Sequence, residues 1–162
     1  MMWVCPTSLW DGRTILICDH ICTVYRDVLN LYELDTSKVG STGGQEQEQA
    51  DDWFTSRFEN GVARFTAIQC GIDSEHELIA RHLKAVAVTG HCVLFDICCG
   101  SATASLSMIG NLIKLREVGA LKLTPLTIEV HGWDFSERAL DIGGELLKRL
   151  TSPALAVAIN IV

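Results

Sequence analysis

The chain has no uninterrupted apolar run approaching the roughly 20 residues that a bilayer-spanning helix needs, and Met1 to Trp10 lacks the basic start and apolar core of a signal peptide. A soluble, cytoplasmic protein with no membrane partner is therefore expected. There is no GxGxxG, which argues against a nicotinamide-dependent oxidoreductase. Positive charge is scarce: 13 Lys and Arg stand against 20 Asp and Glu, for a formal net charge of −7. The deficit sits in positions 1–90, with 7 basic and 13 acidic residues, whereas positions 91–162 hold 6 and 7. Such a first half repels a phosphate backbone, so any DNA or RNA substrate is expected to be presented by another domain or subunit. Repeated CxxC pairs of the kind that build structural zinc sites are also absent.

The seven cysteines, at 5, 18, 22, 70, 92, 98 and 99, are odd in number and lie mostly within apolar runs. With no secretion signal, they read as reduced, buried thiols. If Cys18, His20 and Cys22 lay on a strand they would share one face, an arrangement open to copper or zinc. Ordinary core or half-buried residues are the favoured reading, and no metal site is assigned.

At 162 residues and 48% hydrophobic, the chain fits one domain with a sizeable core. Residues 1–35 form an N-terminal element: Thr14 to Cys18 predicts a short strand, and Ile21, Val24, Val28 and Leu31 recur at helical spacing. Residues 36–52 are rich in Gly, Ser, Gln and Glu and read as a flexible polar linker. Residues 53–90 read as helical, packing on the core. Trp53, Phe54, Phe58, Val62 and Phe65 supply an apolar face, with Phe65 and Thr66 the positions best suited to touch a ligand. A second helix is expected from Asp73 to about Gly90, capped by Asp73 or Ser74, with His76 and His82 on its surface.

Residues 91–162 alternate strand and helix. Val93 to Ile97, apolar at every position but Asp96, reads as a strand covered on both faces. A helix over Ala102–Val118, a strand over Leu126–Trp133, a Ser136-capped helix to Leu150 and a strand over Ala154–Val162 complete a βαβαβ pattern. The expected fold class is α/β, the Rossmann-like half of a doubly wound sheet preceded by a mainly helical region.

Two stretches carry the chemistry. In Asp96-Ile-Cys-Cys-Gly-Ser-Ala-Thr103 a strand ends on an acidic residue and turns sharply into a helix. Small residues, Gly100 and Ala102 above all, allow a close approach of backbone to ligand. The first amides of that helix and its dipole then favour a carboxylate or ribose. In Gly132-Trp-Asp-Phe-Ser136, Asp134 ends the second strand with two acceptor oxygens suited to the hydroxyls of a ribose.

Asp96-Ile-Cys-Cys-Gly-Ser-Ala102 resembles the first motif of Rossmann-like S-adenosylmethionine-dependent methyltransferases, usually DxGxGxG, and more closely the DPxCGSG form of amino-methyltransferases acting on nucleic-acid bases. Gly132-Trp-Asp-Phe-Ser136 resembles their second motif, GxDxS. Asp96 and Asp134 stand 38 positions apart, a spacing familiar in the adenine-methylating group. Gly61-Val-Ala-Arg-Phe-Thr-Ala67 is faintly similar to that group's GxFYTP element. Where the patterns place proline and the first and third glycines, this chain has Ile97, Cys98 and Ala102.

The resemblance implies S-adenosyl-L-methionine as cofactor, held by Phe65, Thr66, Asp96, Cys98, Gly100, Ser101, Ala102, Thr103, Asp134 and Phe135. It also implies methyl transfer to a nucleic-acid base. The family's NPPY-type catalytic motif is not found, so no catalytic residue is assigned, and a partner or a further segment of a longer enzyme is expected to supply it. The family's strand order leaves the edge at Val93–Ile97 without its neighbour. A strand near Ile15, a protein partner or a second copy of the chain is expected to cover it. The alternative function is a catalytically silent methyltransferase-like assembly module.

Overall fold

The computed structural model describes residues 16–37, 46–70, 85 and 89–162. They form an α/β arrangement in which two helices, α1 (Asp19–Leu31) and α2 (Gln47–Cys70), precede a three-stranded parallel sheet. The sheet is built as β1 (His91–Ile97), α3 (Thr103–Glu117), β2 (Leu126–Trp133), α4 (Glu137–Leu150) and β3 (Val157–Ile161), with β2 in the centre. The register pairs Asp96 with Gly132 and Leu126 with Val157. The two strand ends bearing Asp96 and Asp134 are therefore brought side by side.

Alternation along β2 decides which face is covered. Leu126, Ile128 and Val130 are buried with Val157 and Cys92, whereas the intervening residues are more exposed. On the second face of β1, Val93, Phe95 and Ile97 are 40%, 65% and 72% exposed. The continuous apolar run thus has cover on one face only, which corrects the expectation that both faces of β1 are buried. Phe95, His131 and Trp133 stack across this open face, with ring centroids 5.0 to 6.0 Å apart.

α3 is buried on nearly every side because it lies between the strands and the N-terminal helices, as expected of a helix without a continuous polar face. α1 and α2 pack on α3 and α4 rather than on the strands. α1 presents Ile21, Val24, Tyr25 and Val28 at the spacing of one helical stripe. α2 buries Ala50, Phe54, Phe58, Val62, Thr66 and Cys70, each four residues after the last, along a ridge inclined to its axis. Tyr25 stacks on Phe58 at 4.8 Å and meets Phe54 edge-on, joining the two helices. Gly110 admits the tip of Ile21, where an added Cβ would lie 2.4 Å from its Cδ1. Arg138 of α4 forks onto Asp51 at 2.7 and 3.3 Å and lies over the Tyr32 ring, tying together the ends of α1 and α2.

Several sequence expectations shift. Residues 16–18 run without strand structure into α1, and positions 14 and 15 of the expected strand lie outside the described residues, as does Ile15 as an edge partner. Part of the expected 36–52 linker is helical, since α2 begins at Gln47 and buries Ala50. The helix expected from Asp73 to Gly90, with His76 and His82, falls largely outside the described residues. The third strand begins at Val157, because Pro153–Leu155 form a 3-10 turn and Ala156 is left-handed. No helix among the described residues is long and apolar enough to cross a membrane.

Candidate functional site

The turn between β1 and α3 is held in a conformation that favours glycine. Cys98, Gly100 and Ala102 have φ of 58°, 51° and 58°, so alternate residues are left-handed. Such a conformation costs an L side chain about 1 to 2 kcal/mol. Only Gly100 of the three avoids that cost. The amide of Cys99 donates to the Trp133 carbonyl at 3.1 Å and that of Ala102 to the Cys99 carbonyl at 2.8 Å, which brings the chain round into α3.

Two carboxylates fasten this turn. Asp134 accepts the Gly100 amide on Oδ2 at 2.8 Å and the Ser136 amide on Oδ1 at 3.0 Å. Each oxygen keeps capacity for another hydrogen bond. Asp96 acts from the preceding strand as a cap for α3, whose own N-cap residue, Ala102, has no side-chain acceptor. Its Oδ2 accepts the Ser105 hydroxyl at 2.6 Å and the Ser105 amide at 3.3 Å. Thr103 and Ala104, in the first turn of α3, have amides without an intrahelical acceptor and line the adjoining cavity. Ser136 caps α4 as expected, accepting the Ala139 amide at 3.3 Å.

Among the described residues, three cavities adjoin the turn. One of about 370 Å³ lies between it and α2, with Phe65, Asp96, Cys98, Gly100, Ser101 and Thr103 in its wall. A second, about 210 Å³, shares Cys98, Gly100 and Ser101 and extends to Asp134 and Phe135. A third, about 190 Å³ and mainly apolar, includes Asp96, Gly100, Ala102, Leu140 and Ile161. The structure thus assembles nine of the ten candidate cofactor residues around one turn.

Thr66 is the exception. Completely buried, it accepts a hydrogen bond from Asn111 Nδ2 at 3.2 Å and pairs with the Ser107 hydroxyl at 3.1 Å. Ser107 donates to the Val62 carbonyl, so the single proton of each hydroxyl gives this chain one direction, from Asn111 through Thr66 and Ser107. Thr66 joins α2 to α3 and lines none of the three cavities.

Conversely, Trp53, Arg57, Asn60 and Arg64 line the largest of these three cavities although the turn motif gave no reason to single them out. Their spacing was the available signal, because they recur at helical intervals beside the buried stripe of α2. Arg57 lies 5.7 Å from the centroid of the Trp53 ring.

Burial, with help from Asp96 and Asp134, pushes the Cys99 thiol up to about 11, so it is protonated near neutral pH. Cys18, Cys22, Cys92, Cys98 and Cys99 are free thiols, of which Cys98 alone is exposed. Because Cys18 and Cys22 flank the first turn of a helix rather than lying on a strand, they and His20 do not share a face. Cys18 is buried, while His20 is paired with Glu117 at 3.4 Å. No group of three potential metal ligands occurs among the described residues. Comparison of the chain with protein-family models gave no match, and comparisons with curated proteins and with solved structures gave none either.

Proposed function

We propose that the chain binds S-adenosyl-L-methionine around the 98–102 turn of a Rossmann-like half-sheet, as the cofactor-binding part of a cytoplasmic methyltransferase acting on a nucleic-acid base. The observation that carries this reading is the bond from Gly100 to Asp134, which places the end of β2 and the glycine turn on one cavity wall. The residues fit the cofactor's chemistry. Asp134 has acceptor capacity for ribose hydroxyls, and exposed Phe135 offers a ring face for the purine. The first-turn amides of α3 favour the methionine carboxylate. Taken together, the two adjoining cavities between α2, the turn and Asp134 lie in the range of about 300 to 1,000 Å³ usual for small-molecule sites. When bound, the cofactor supplies an electrophilic methyl group on a sulfonium. The chain's own residues hold and orient it, while a partner or further segment brings the catalytic motif and covers the open edge and face of β1.

A second reading, a catalytically silent assembly module, is favoured by Cys98 and Ala102 occupying left-handed positions that suit glycine. Calorimetric titration with S-adenosylmethionine and its demethylated product separates the two. Micromolar binding that is lost in Asp134→Ala and Asp96→Ala supports the cofactor site. A folded chain that binds neither compound sinks it.

A further inference from the structure

In the largest of these three cavities, the wall opposite the turn has, Phe65 apart, a character that cofactor binding does not use. On α2, Arg57 and Arg64 are both exposed, line this cavity and engage in no ion pair among the described residues. Between them, Asn60 adds an amide, while Trp53 and Phe65 are 43% and 37% exposed. Asp96 is the acidic residue lining this cavity among the described residues, and those of α1 and α2 lie elsewhere. Glu33, Asp35, Glu48, Asp51 and Asp52 gather around a separate cavity where α1 ends and α2 begins. Glu59 acts on Tyr25 of α1, and Asp96 is occupied by Ser105. The net negative charge therefore does not describe this wall.

The two arginines stand two helical turns apart, about 10 Å along the axis, and Arg57 lies over the ring of Trp53, one turn before it on α2. Each is thus placed for a separate anionic group. Spaced cations interleaved with exposed ring faces suit a single nucleic-acid strand, whose phosphates meet the charges while its bases stack.

We propose that this face of α2 is the docking surface for the acceptor strand, with Arg57 and Arg64 on two phosphates and Trp53 as a stacking platform. The assignment rests on the methyltransferase reading for its meaning, and its test is independent of it. A fluorescent single-stranded oligonucleotide of about twelve nucleotides is titrated into the full chain across a series of salt concentrations. Removing two phosphate contacts in Arg57→Gln/Arg64→Gln should weaken binding about tenfold and reduce the slope of log affinity against log salt by about 1.4. Arg57→Lys/Arg64→Lys should keep the slope, and both variants should melt as the unaltered chain does, since these side chains are exposed. Unchanged affinity and slope in the glutamine variant overturn the proposal, as does failure of the unaltered chain to bind the strand at low salt. Equal competition by polyglutamate overturns it in favour of an acidic peptide. Cofactor titration of the unaltered chain is read separately: its failure removes the methyltransferase reading and leaves the strand result standing.

Discussion

The amide of Gly100 donates to Oδ2 of Asp134 across a sequence gap of 34 residues, so the β1–α3 turn and the end of β2 move as one unit. Asp134→Ala removes the acceptor for this amide and for that of Ser136. The expected loss is about 1 to 3 kcal/mol of folding stability, through partly buried donors left unpaired. Asp134→Asn keeps one carbonyl oxygen and should lose about half as much. Urea denaturation of the three proteins checks this, and equal midpoints would show that the amides find water instead.

Cys98 is exposed and left-handed, so its side chain adds backbone strain with little packing in return. Cys98→Gly relieves about 1 to 2 kcal/mol of strain against an entropy cost of roughly 0.5 to 1 kcal/mol. A net gain of about 0.5 to 1 kcal/mol is expected, or some 1 to 4 °C in Tm. Ala102→Gly should gain less, because the Ala102 methyl is buried against α4 at Gly143. Thermal melts that rank the two variants the other way would refute the strain argument.

Local patterns that each answer to a single physical cause were legible in the sequence. Leu126–Trp133 alternates and was bounded correctly, and Ser136 announced its own helix. The turn was legible because a sharp exit from a strand demands small residues, and Asp134 because an acidic residue directly follows the second strand. What was not legible depends on neighbours. A continuous apolar strand reads the same whether its second face is covered, as expected for β1, or open, as Phe95 and Ile97 are. Gln47 to Asp52 looked like linker because Ala50 is the sole fully buried residue in that first stretch of α2. Arg57 and Arg64 resemble any solvated helix face until the turn is seen opposite them. Thr66, two positions beyond Arg64, faces inward because α3 offers it Ser107 and Asn111.

Close contact between α1 and α3 depends on Gly110. An added methyl would lie 2.4 and 2.6 Å from Cδ1 and Cγ1 of Ile21, a completely buried side chain with little freedom to move. Gly110→Ala should therefore destabilise the protein by about 1 to 3 kcal/mol through overpacking. Ile21→Ala removes both colliding atoms but opens a cavity, at about 2 to 5 kcal/mol. In the double variant the new methyl occupies part of that space, so the combined loss should fall short of the sum by about 1 kcal/mol or more. Simple additivity would mean that α1 shifts away as a body.

The buried thiols set the alkaline limit of stability. Burial raises Cys18, Cys22, Cys92 and Cys99 above the ordinary thiol value, Cys99 to about 11, and it raises Tyr25 to about 12. Between the unfolded thiol value, about 8.5, and these folded values, the unfolded chain has released protons that the folded chain retains. Unfolding is favoured as pH rises wherever the folded state binds more protons. Stability should consequently be insensitive to these groups near pH 7 and fall steadily from about pH 8.5 towards 11. In Cys99→Ala the decline should be shallower, since the largest thiol contribution is gone. Denaturant midpoints at neutral pH and through the alkaline range test the slope, and a parallel decline in both proteins would remove Cys99 as its source. Thiol labelling gives a second reading of the same physics: iodoacetamide should modify exposed Cys98 well before Cys99, whose protonated sulfur lies behind the turn, 3.2 Å from where a side chain on Gly132 would begin.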